Sequence, residues 1–339
     1  MYLQRFKAGM AVELSIIIVN WNGGELLQRC VESIIASPPQ ISYEIIVVDN
    51  ASTDASIERL RSDDLAARLG GTQLHIIENR DNLGFGRANN QAITRSRAPL
   101  LFLLNPDTEV MPGAVDALVA TISADKRIGA CGPRLLNPDG SLQPSAWRNP
   151  PSAWYVLVNG LKLYRFLPRR VRGEWLLGQH WDHGHRRRVG ALSGAAIMAR
   201  RTMIDEIGAF DEQFDMYGED AEWCLRIFRS GWEIIFEPTA QIIHHGGQSA
   251  LKRWTDPERR LREIDAYMRF LKHCLSPKHV VANTLARSLI LSLAWARRRM
   301  RGQSDADLNN MMRLNNAYLK QSFREMICGS HSPIEAPRK

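Results

Sequence analysis

The first third of the chain alternates in a way that few architectures permit. Four short, nearly continuous apolar runs, "LSIIIVN" (14–20), "YEIIVVDN" (43–50), "LHIIEN" (74–79) and "LLFLLN" (100–105), are separated by stretches with helical patterning. Runs of this length without polar alternation are strands buried on both faces. Strands alternating with helices build right-handed βαβ units, so a mainly parallel sheet flanked by helices is expected. The helices are expected over Gly24–Ala36, from Thr53 or Asp54, over Arg87–Arg95, and from Pro112, because proline is tolerated in a first helical turn.

The pattern changes after residue 137. "NPDGSLQ" (137–143) reads as a hairpin-like turn. Residues 144–190 are rich in Trp, Pro, Arg and His without a period, and read as a surface excursion, a mobile loop with a short helix. "ALSGAAIMAR" (191–200) returns as a small-residue strand. A helix is expected from about Glu219 to Ser230, stopped by Gly231. "EIIFEP" and "AQIIHH" read as two more short strands. From about Asp256 to Gly329 the chain is charged, leucine-containing and helical. A boundary near 249–256 divides residues 1–252 from an α-helical C-terminal region, 253–339.

Net charge is +8, which suits an anionic partner: nucleic acid, a nucleotide diphosphate or an anionic membrane face. The five cysteines are scattered with no CxxC pair, which argues for a reducing compartment and against a disulfide framework or structural zinc. The opening "MYLQRFKAGMAVE" lacks the apolar core of a secretory signal. No apolar run reaches the roughly 18 residues of a spanning helix. The nearest, Val280–Ala296, is interrupted by Asn283 and Arg287 and reads as a surface or interfacial helix.

Ligand chemistry in open α/β sheets sits beyond the carboxyl ends of the strands. Pro106 cannot join a ladder, so the fourth strand ends there and delivers Asp107 to that edge. Asp49 ends the second strand, where a base or ribose edge would partner it; Ser52 and Asp54 also suit turn and capping roles. "NRDNLGFGRANN" (79–90) opens a helix with glycines whose amides could face a diphosphate, though taken alone it is a weak signal and a turn before a helix is the common explanation. Glu219-Asp220 suits either helix capping or a general base facing a cleft. Of the adjacent His244 and His245, only one can face a given site, and it could complete a metal site with Asp107. His180, Asp182, His183 and His185 lie in an irregular basic loop that suits substrate contact better than metal.

Taken together, "SIIIVNWNG", "EIIVVDNASTD", "NLGFGRANN", "LLNPD", "GAAIMARR", "GAFDEQFDMYGEDAEWCLR" and "HHGGQS" resemble, in order over residues 14–249, a family 2 glycosyltransferase of the branch that includes bacterial rhamnosyltransferases. The resemblance implies a GT-A fold: a Rossmann-like nucleotide-sugar half (14–110), an acceptor half (111–252), and here a helical C-terminal extension. It implies Asp107 and His244 as ligands of a divalent cation, Mg²⁺ or Mn²⁺, with Asn105 standing where many relatives have a first Asp. It implies Asp220 as catalytic base with Glu219 beside it. Asn20, Asn22, Asp49, Asn50 and Ser52 would hold the nucleotide. Asn82, Gly84, Phe85 and Gly86 would lie near the diphosphate and sugar, and Gly194 at the acceptor or sugar side.

The implied activity is inverting transfer of a sugar, L-rhamnose from dTDP-rhamnose, to a glycan or polyprenyl-diphosphate-linked acceptor in bacterial cell-surface polysaccharide biosynthesis. The same fold and mechanism also serve UDP- or GDP-sugars carrying galactofuranose, mannose or N-acetylglucosamine. A non-catalytic scaffold or a nucleic-acid-binding protein are the remote alternatives; the acidic strand ends argue against nucleic acid. "LILSLAWA" followed by Arg297, Arg298, Arg299 and Arg301 suits an anionic membrane surface as well as a packed helix with a solvated end. Lys162, Arg165, Arg169, Arg170, Arg172 and Arg186–Arg188 form a second basic region. The expectation is a cytoplasmic enzyme, peripheral on the inner face of the membrane.

Overall fold

The structure, a computed structural model, describes residues 11–69, 71–147, 151–214, 217–246, 255–302 and 306–328. Its centre is a sheet whose first half is the expected one. Strands β1 (Leu14–Asn20), β2 (Tyr43–Asp49), β3 (Gln73–Glu78) and β4 (Leu100–Leu104) pair in parallel, in the order β3-β2-β1-β4. Every residue of β1 and β2 is buried, as unbroken apolar runs require, whereas β3 is the partly exposed edge with Gln73 and Glu78 facing solvent.

Helix α1 (Glu25–Ala36) buries Leu27, Cys30, Val31 and Ile34, one face at helical spacing, in the same core as Ile16, Ile18 and Phe102. The helix expected after Thr53 is two short ones, α2 (Ser56–Leu60) and α3 (Asp63–Leu69). Helix α4 (Phe85–Arg95) precedes β4.

Beyond β4 the sheet becomes mixed. Strand β5 (Thr108–Val110) is followed by α5 (Ala114–Ala124), which starts after the left-handed Gly113 rather than at Pro112. Strand β6 (Ile128–Leu136) turns through Asn137–Ser141 into β7 (Leu142–Gln143), the expected hairpin. Strand β8 is Ala146–Trp147. Helices α6 (Ala153–Gly160) and α7 (Arg169–Leu176) occupy the segment that showed no period; both are only eight residues long, too short for a period to emerge.

Strand β9 is Arg187–Arg188. The run 191–200 is not one strand: β10 (Ala191–Leu192) pairs with β8, Ser193 to Ala195 form a corner, and β11 (Ala196–Arg200) inserts antiparallel between β4 and β6. Helix α8 (Arg201–Ile207) and helix α9 (Glu219–Arg229) follow, with Gly231 left-handed just beyond. The two expected strands at 233–245 are a single strand, β12 (Glu233–His244), with a register shift between Glu237 and Gln241. Pro238 cannot join the ladder there, which makes one bulged strand look like two in the sequence. The order is completed as β4-β11-β6-β12-β5.

The chain divides into two compact units, 1–147 with 182–252, and 148–181 with 253–339. The second contains α6, α7, α10 (Asp256–Cys274), α11 (Pro277–Met300) and α12 (Ala306–Cys328). Thr255 and Glu258 form a reciprocal capping box at the start of α10. No helix among the described residues is long and apolar enough to cross a membrane.

Candidate active site

The ends of β1 and β2 are joined by a closed hydrogen-bond network. Asn20, fully buried, donates its amide to Asp49 Oδ1 (2.8 Å) and Ser52 Oγ (3.0 Å), while its Oδ1 accepts from the Gly23 N–H (3.1 Å). Ser52 Oγ donates to Asp49 Oδ1 (2.6 Å) and accepts from the Asn22 N–H (2.8 Å). Asn22, left-handed at φ 52°, accepts from the Thr53 N–H (2.8 Å). A carboxylate ending a buried strand thus finds its donors within the protein.

Asn50 performs the parallel task for the next loop. Its amide donates to Asn82 Oδ1 (2.9 Å) and Gly84 O (3.2 Å), and its Oδ1 accepts from the Leu83 N–H (2.9 Å) and Asn79 Nδ2 (3.2 Å). Gly84 sits at φ 85°, ψ 169°, a region open essentially only to glycine, and leads directly into α4. Phe85 meets Phe210 edge-on at 5.8 Å, and a Cβ on Gly86 would lie 3.3 Å from Phe210 Cβ. Asn20 and Asn50 therefore brace the strand-end loops, leaving backbone groups and Asn22 nearer the surface.

The fourth strand end holds the second cluster. The Asn105 N–H donates to Ala195 O (2.9 Å), which ties the β4 corner to the corner before β11. Asn105 itself is half-buried and Asp107 buried. Strand β12 pairs with β5 so that His244 lies opposite Thr108. This places His244 Nε2 3.3 Å from Asp107 Oδ1, with both side chains largely buried.

The imidazole tautomer follows from its other neighbour. Gln143 Nε2 donates to Asn137 Oδ1 (3.0 Å) and His244 O (3.4 Å), so Gln143 Oε1 faces His244 Nδ1 at 2.6 Å and accepts its proton. A neutral ring then presents the Nε2 lone pair to a carboxylate oxygen. Two acceptors at that distance repel unless a proton or a cation lies between them. A carboxylate oxygen and an imidazole nitrogen, oriented by an outer amide, are a donor set that fits a divalent ion such as Mg²⁺ or Mn²⁺. His245 faces elsewhere, with Nε2 2.8 Å from Glu109 Oε1.

The third cluster opens α9. Tyr217 (φ 67°) and Gly218 (φ 94°) are both left-handed and turn the chain sharply into Glu219-Asp220. Asp220 Oδ2 accepts the Gly194 N–H (3.0 Å) and Oδ1 the Ala221 N–H (2.7 Å). A Cβ on Gly194 would lie 3.3 Å from Asp220 Oδ2, so the glycine at 194 is what allows the carboxylate this close to the backbone. Burial pushes the Asp220 carboxyl up. Burial and the adjacent Asp220 charge push the Glu219 carboxyl up to about 8, and its Oε2 is buried with no hydrogen-bond partner among the described residues.

The backbone connects these clusters: Asp107 follows the Asn105–Ala195 bond by two residues, and Ala195 follows Gly194, which holds Asp220. The sequence pointed to the carboxylates and His244 but not to Gln143, which stands 101 residues from its histidine on a two-residue strand. Nor did it single out Arg226. That side chain pairs with Glu222 (2.6 Å) and donates to Ile207 O and Ala209 O, fastening the segment before Phe210 to α9. The Glu222–Arg226 spacing of four inside a helix is the one signal that could have found it.

Residues 15–183 match the model of glycosyl transferase family 2. An N-acetylglucosaminyl-diphospho-decaprenol L-rhamnosyltransferase of Mycobacterium tuberculosis is 30% identical over 250 residues, 70% of this chain and 77% of that one. A low-salt glycan biosynthesis hexosyltransferase of Haloferax volcanii is 27% identical over 240 residues, 70% of this chain and 68% of that one. Among solved structures, the mannosyltransferase of Pyrobaculum calidifontis in complex with GDP-Man and Mn²⁺ is similar at a TM-score of 0.53 and 14% identity, covering 95% of this chain and 89% of that one. GalNAc-T7 with UDP, GalNAc and Mn²⁺ is similar at 0.55 and 18%, covering 97% and 59%. The last two speak for the fold alone, which is GT-A. The family match and the mycobacterial relative define a glycosyltransferase. The chain belongs to glycosyl transferase family 2 and is rhamnosyltransferase-like.

Proposed function

We propose that this enzyme transfers L-rhamnose from dTDP-rhamnose, with inversion, to a lipid-linked glycan diphosphate at the cytoplasmic face of the membrane, in the building of a cell-surface polysaccharide. The observation that carries the chemistry is Asp220, a half-buried carboxylate fixed by the Gly194 and Ala221 N–H groups and backbone-linked to the corner that bears Asp107. The choice of sugar and acceptor is supported by likeness to the mycobacterial rhamnosyltransferase.

In this reading Asp220 accepts the proton of the acceptor hydroxyl. The hydroxyl oxygen forms its bond to the anomeric carbon as the bond from that carbon to the diphosphate oxygen breaks on the opposite face, so the configuration inverts. Both Asp220 oxygens are already held by backbone N–H groups, which fixes the carboxylate for in-line approach. Burial and the Asp220 charge favour the neutral form of Glu219, which limits the negative charge beside the base. Asp107 and His244 would hold the divalent cation, with Asn105 beside them, and the cation would neutralise charge on the departing diphosphate. The loops braced by Asn20, Asp49, Ser52, Asn50 and Asn82 would seat the nucleotide, and Gly84, Phe85 and Gly86 the diphosphate and sugar.

Asp220→Asn tests the assignment. Transfer should fall by about 10²–10⁴-fold, with dTDP-rhamnose affinity by calorimetry preserved. In the parent enzyme, transfer should decline as pH drops and Asp220 takes up its proton. Near-normal turnover in the variant would remove Asp220 as base, and selective binding of a UDP- or GDP-sugar would replace the donor.

A further inference from the structure

Of the thirteen large apolar side chains that stand exposed among the described residues, all but Phe228 belong to the second unit. Charge divides the same way. The second unit carries 23 Lys and Arg against 9 Asp and Glu, a net of +14; the first carries 21 against 27, a net of −6. The excess noted in the sequence is thus confined to the unit with the wet hydrophobic surface.

Helix α11 shows both features on one face. Its inner side is satisfied within the unit. Asn315 of α12 donates to Thr284 O (3.2 Å) and Ser288 Oγ (2.8 Å), Arg287 lies over the Tyr267 ring of α10 (5.0 Å), and Ile290 fills the space beside Gly160 of α6. The outer side presents Leu285, Leu289, Leu293 and Met300, which are 47–82% exposed. At 3.6 residues per turn these four fall within an arc of roughly 80°. Arg297 and Arg299 flank that arc on either side, with the Arg299 guanidinium over the Trp295 ring at 5.6 Å. The chemistry repeats on α7, where Val171 and Trp175 are exposed one turn apart beside Arg169 and Arg170.

We propose that this outer face of α11 docks on the surface of an anionic lipid bilayer. The helix lies in the headgroup plane with its leucines and Met300 against the acyl chains and the Arg297–Arg301 end on lipid phosphates. A second copy of the chain fits worse, because it would bring two units of +14 together. A nucleic acid would match the arginines but leave the leucines in water. Docking deepens the lipid-linked-acceptor reading and rests on it for its purpose: a lipid-anchored substrate meets the site only at a membrane.

The full-length protein is floated with vesicles of equimolar phosphatidylglycerol and phosphatidylcholine, and with phosphatidylcholine alone. The parent should bind the anionic vesicles, release in high salt and bind the neutral ones poorly. The triple variants Leu285→Ser/Leu289→Ser/Leu293→Ser and Arg297→Gln/Arg298→Gln/Arg299→Gln should each lose about tenfold in affinity. These side chains are exposed, so unchanged melting temperatures should confirm that both variants fold. Equal binding to both vesicle types, or unaltered binding by both variants, overturns the proposal. So does a leucine variant that converts a dimer to a monomer while vesicle binding persists, which would assign the face to a second copy. Vesicle binding needs neither donor nor acceptor. Its loss with dTDP-rhamnose binding intact removes the docking face alone, and docking without dTDP-rhamnose binding removes the donor reading alone.

Discussion

Gln143 shows how much one uncharged side chain can decide. By accepting from His244 Nδ1 it leaves the Nε2 lone pair toward Asp107 at 3.3 Å, so the pair behaves as a ready acceptor set for a cation. Gln143→Leu should weaken Mn²⁺ binding by about 10–100-fold in calorimetry while leaving the fold intact. An unchanged Mn²⁺ titration would show that the histidine holds its tautomer without the amide. Glu219 makes the complementary case for a buried acid. Its carboxyl is raised by burial and by the Asp220 charge, so between its unfolded and folded values the native state holds a proton that the unfolded chain has released. Stability therefore falls as pH rises through that window. Glu219→Gln should flatten this dependence, melting above the parent in mildly alkaline buffer and close to it in acid. Identical pH slopes for the two proteins would place the proton elsewhere.

Among the elements, the β1–α1 turn is the most tightly determined. A Cβ on Gly23 would lie 2.3 Å from Asn20 Oδ1, a buried atom already tied into the Asn20–Asp49–Ser52 network. Gly23→Ala should therefore cost about 1–3 kcal/mol, read as a lowered urea midpoint, because a buried amide loses its partners. A midpoint equal to the parent's would mean that the turn relaxes without breaking that network. The strand β12 teaches a different lesson at this scale. Pro238 and the bulge around it interrupt the apolar pattern, yet the ladder resumes at Gln241 and carries His244 to β5. Glu237 makes the bulge tolerable: its buried carboxylate accepts from Thr239, Thr121 and Arg186, and although burial alone would raise its carboxyl, those hydrogen bonds together outweigh it and hold it below the usual glutamate range.

For the whole molecule, the division of charge and exposed apolar surface between two units matters more than the net +8. A pattern that averages to a mildly basic protein is an acidic catalytic unit joined to a strongly basic helical one, and attraction of the latter to anionic surfaces should weaken as salt screens it. The sequence alone determined the parallel half of the sheet, the ends of β1, β2 and β4, the α9 helix, and the family to which Asp107, Asp220 and His244 belong. These are legible because apolar periodicity, proline and glycine act over a few residues, and strand ends follow from them. Only the tertiary structure decided that β11 enters antiparallel between β4 and β6, that Asn20 and Asn50 act as braces, that Gln143 orients His244, and that residues 148–181 group with the C-terminal helices. Each of these depends on which groups meet across dozens of residues or more, or on which donors the folded backbone leaves for a side chain to satisfy. Neither is a property of the local pattern.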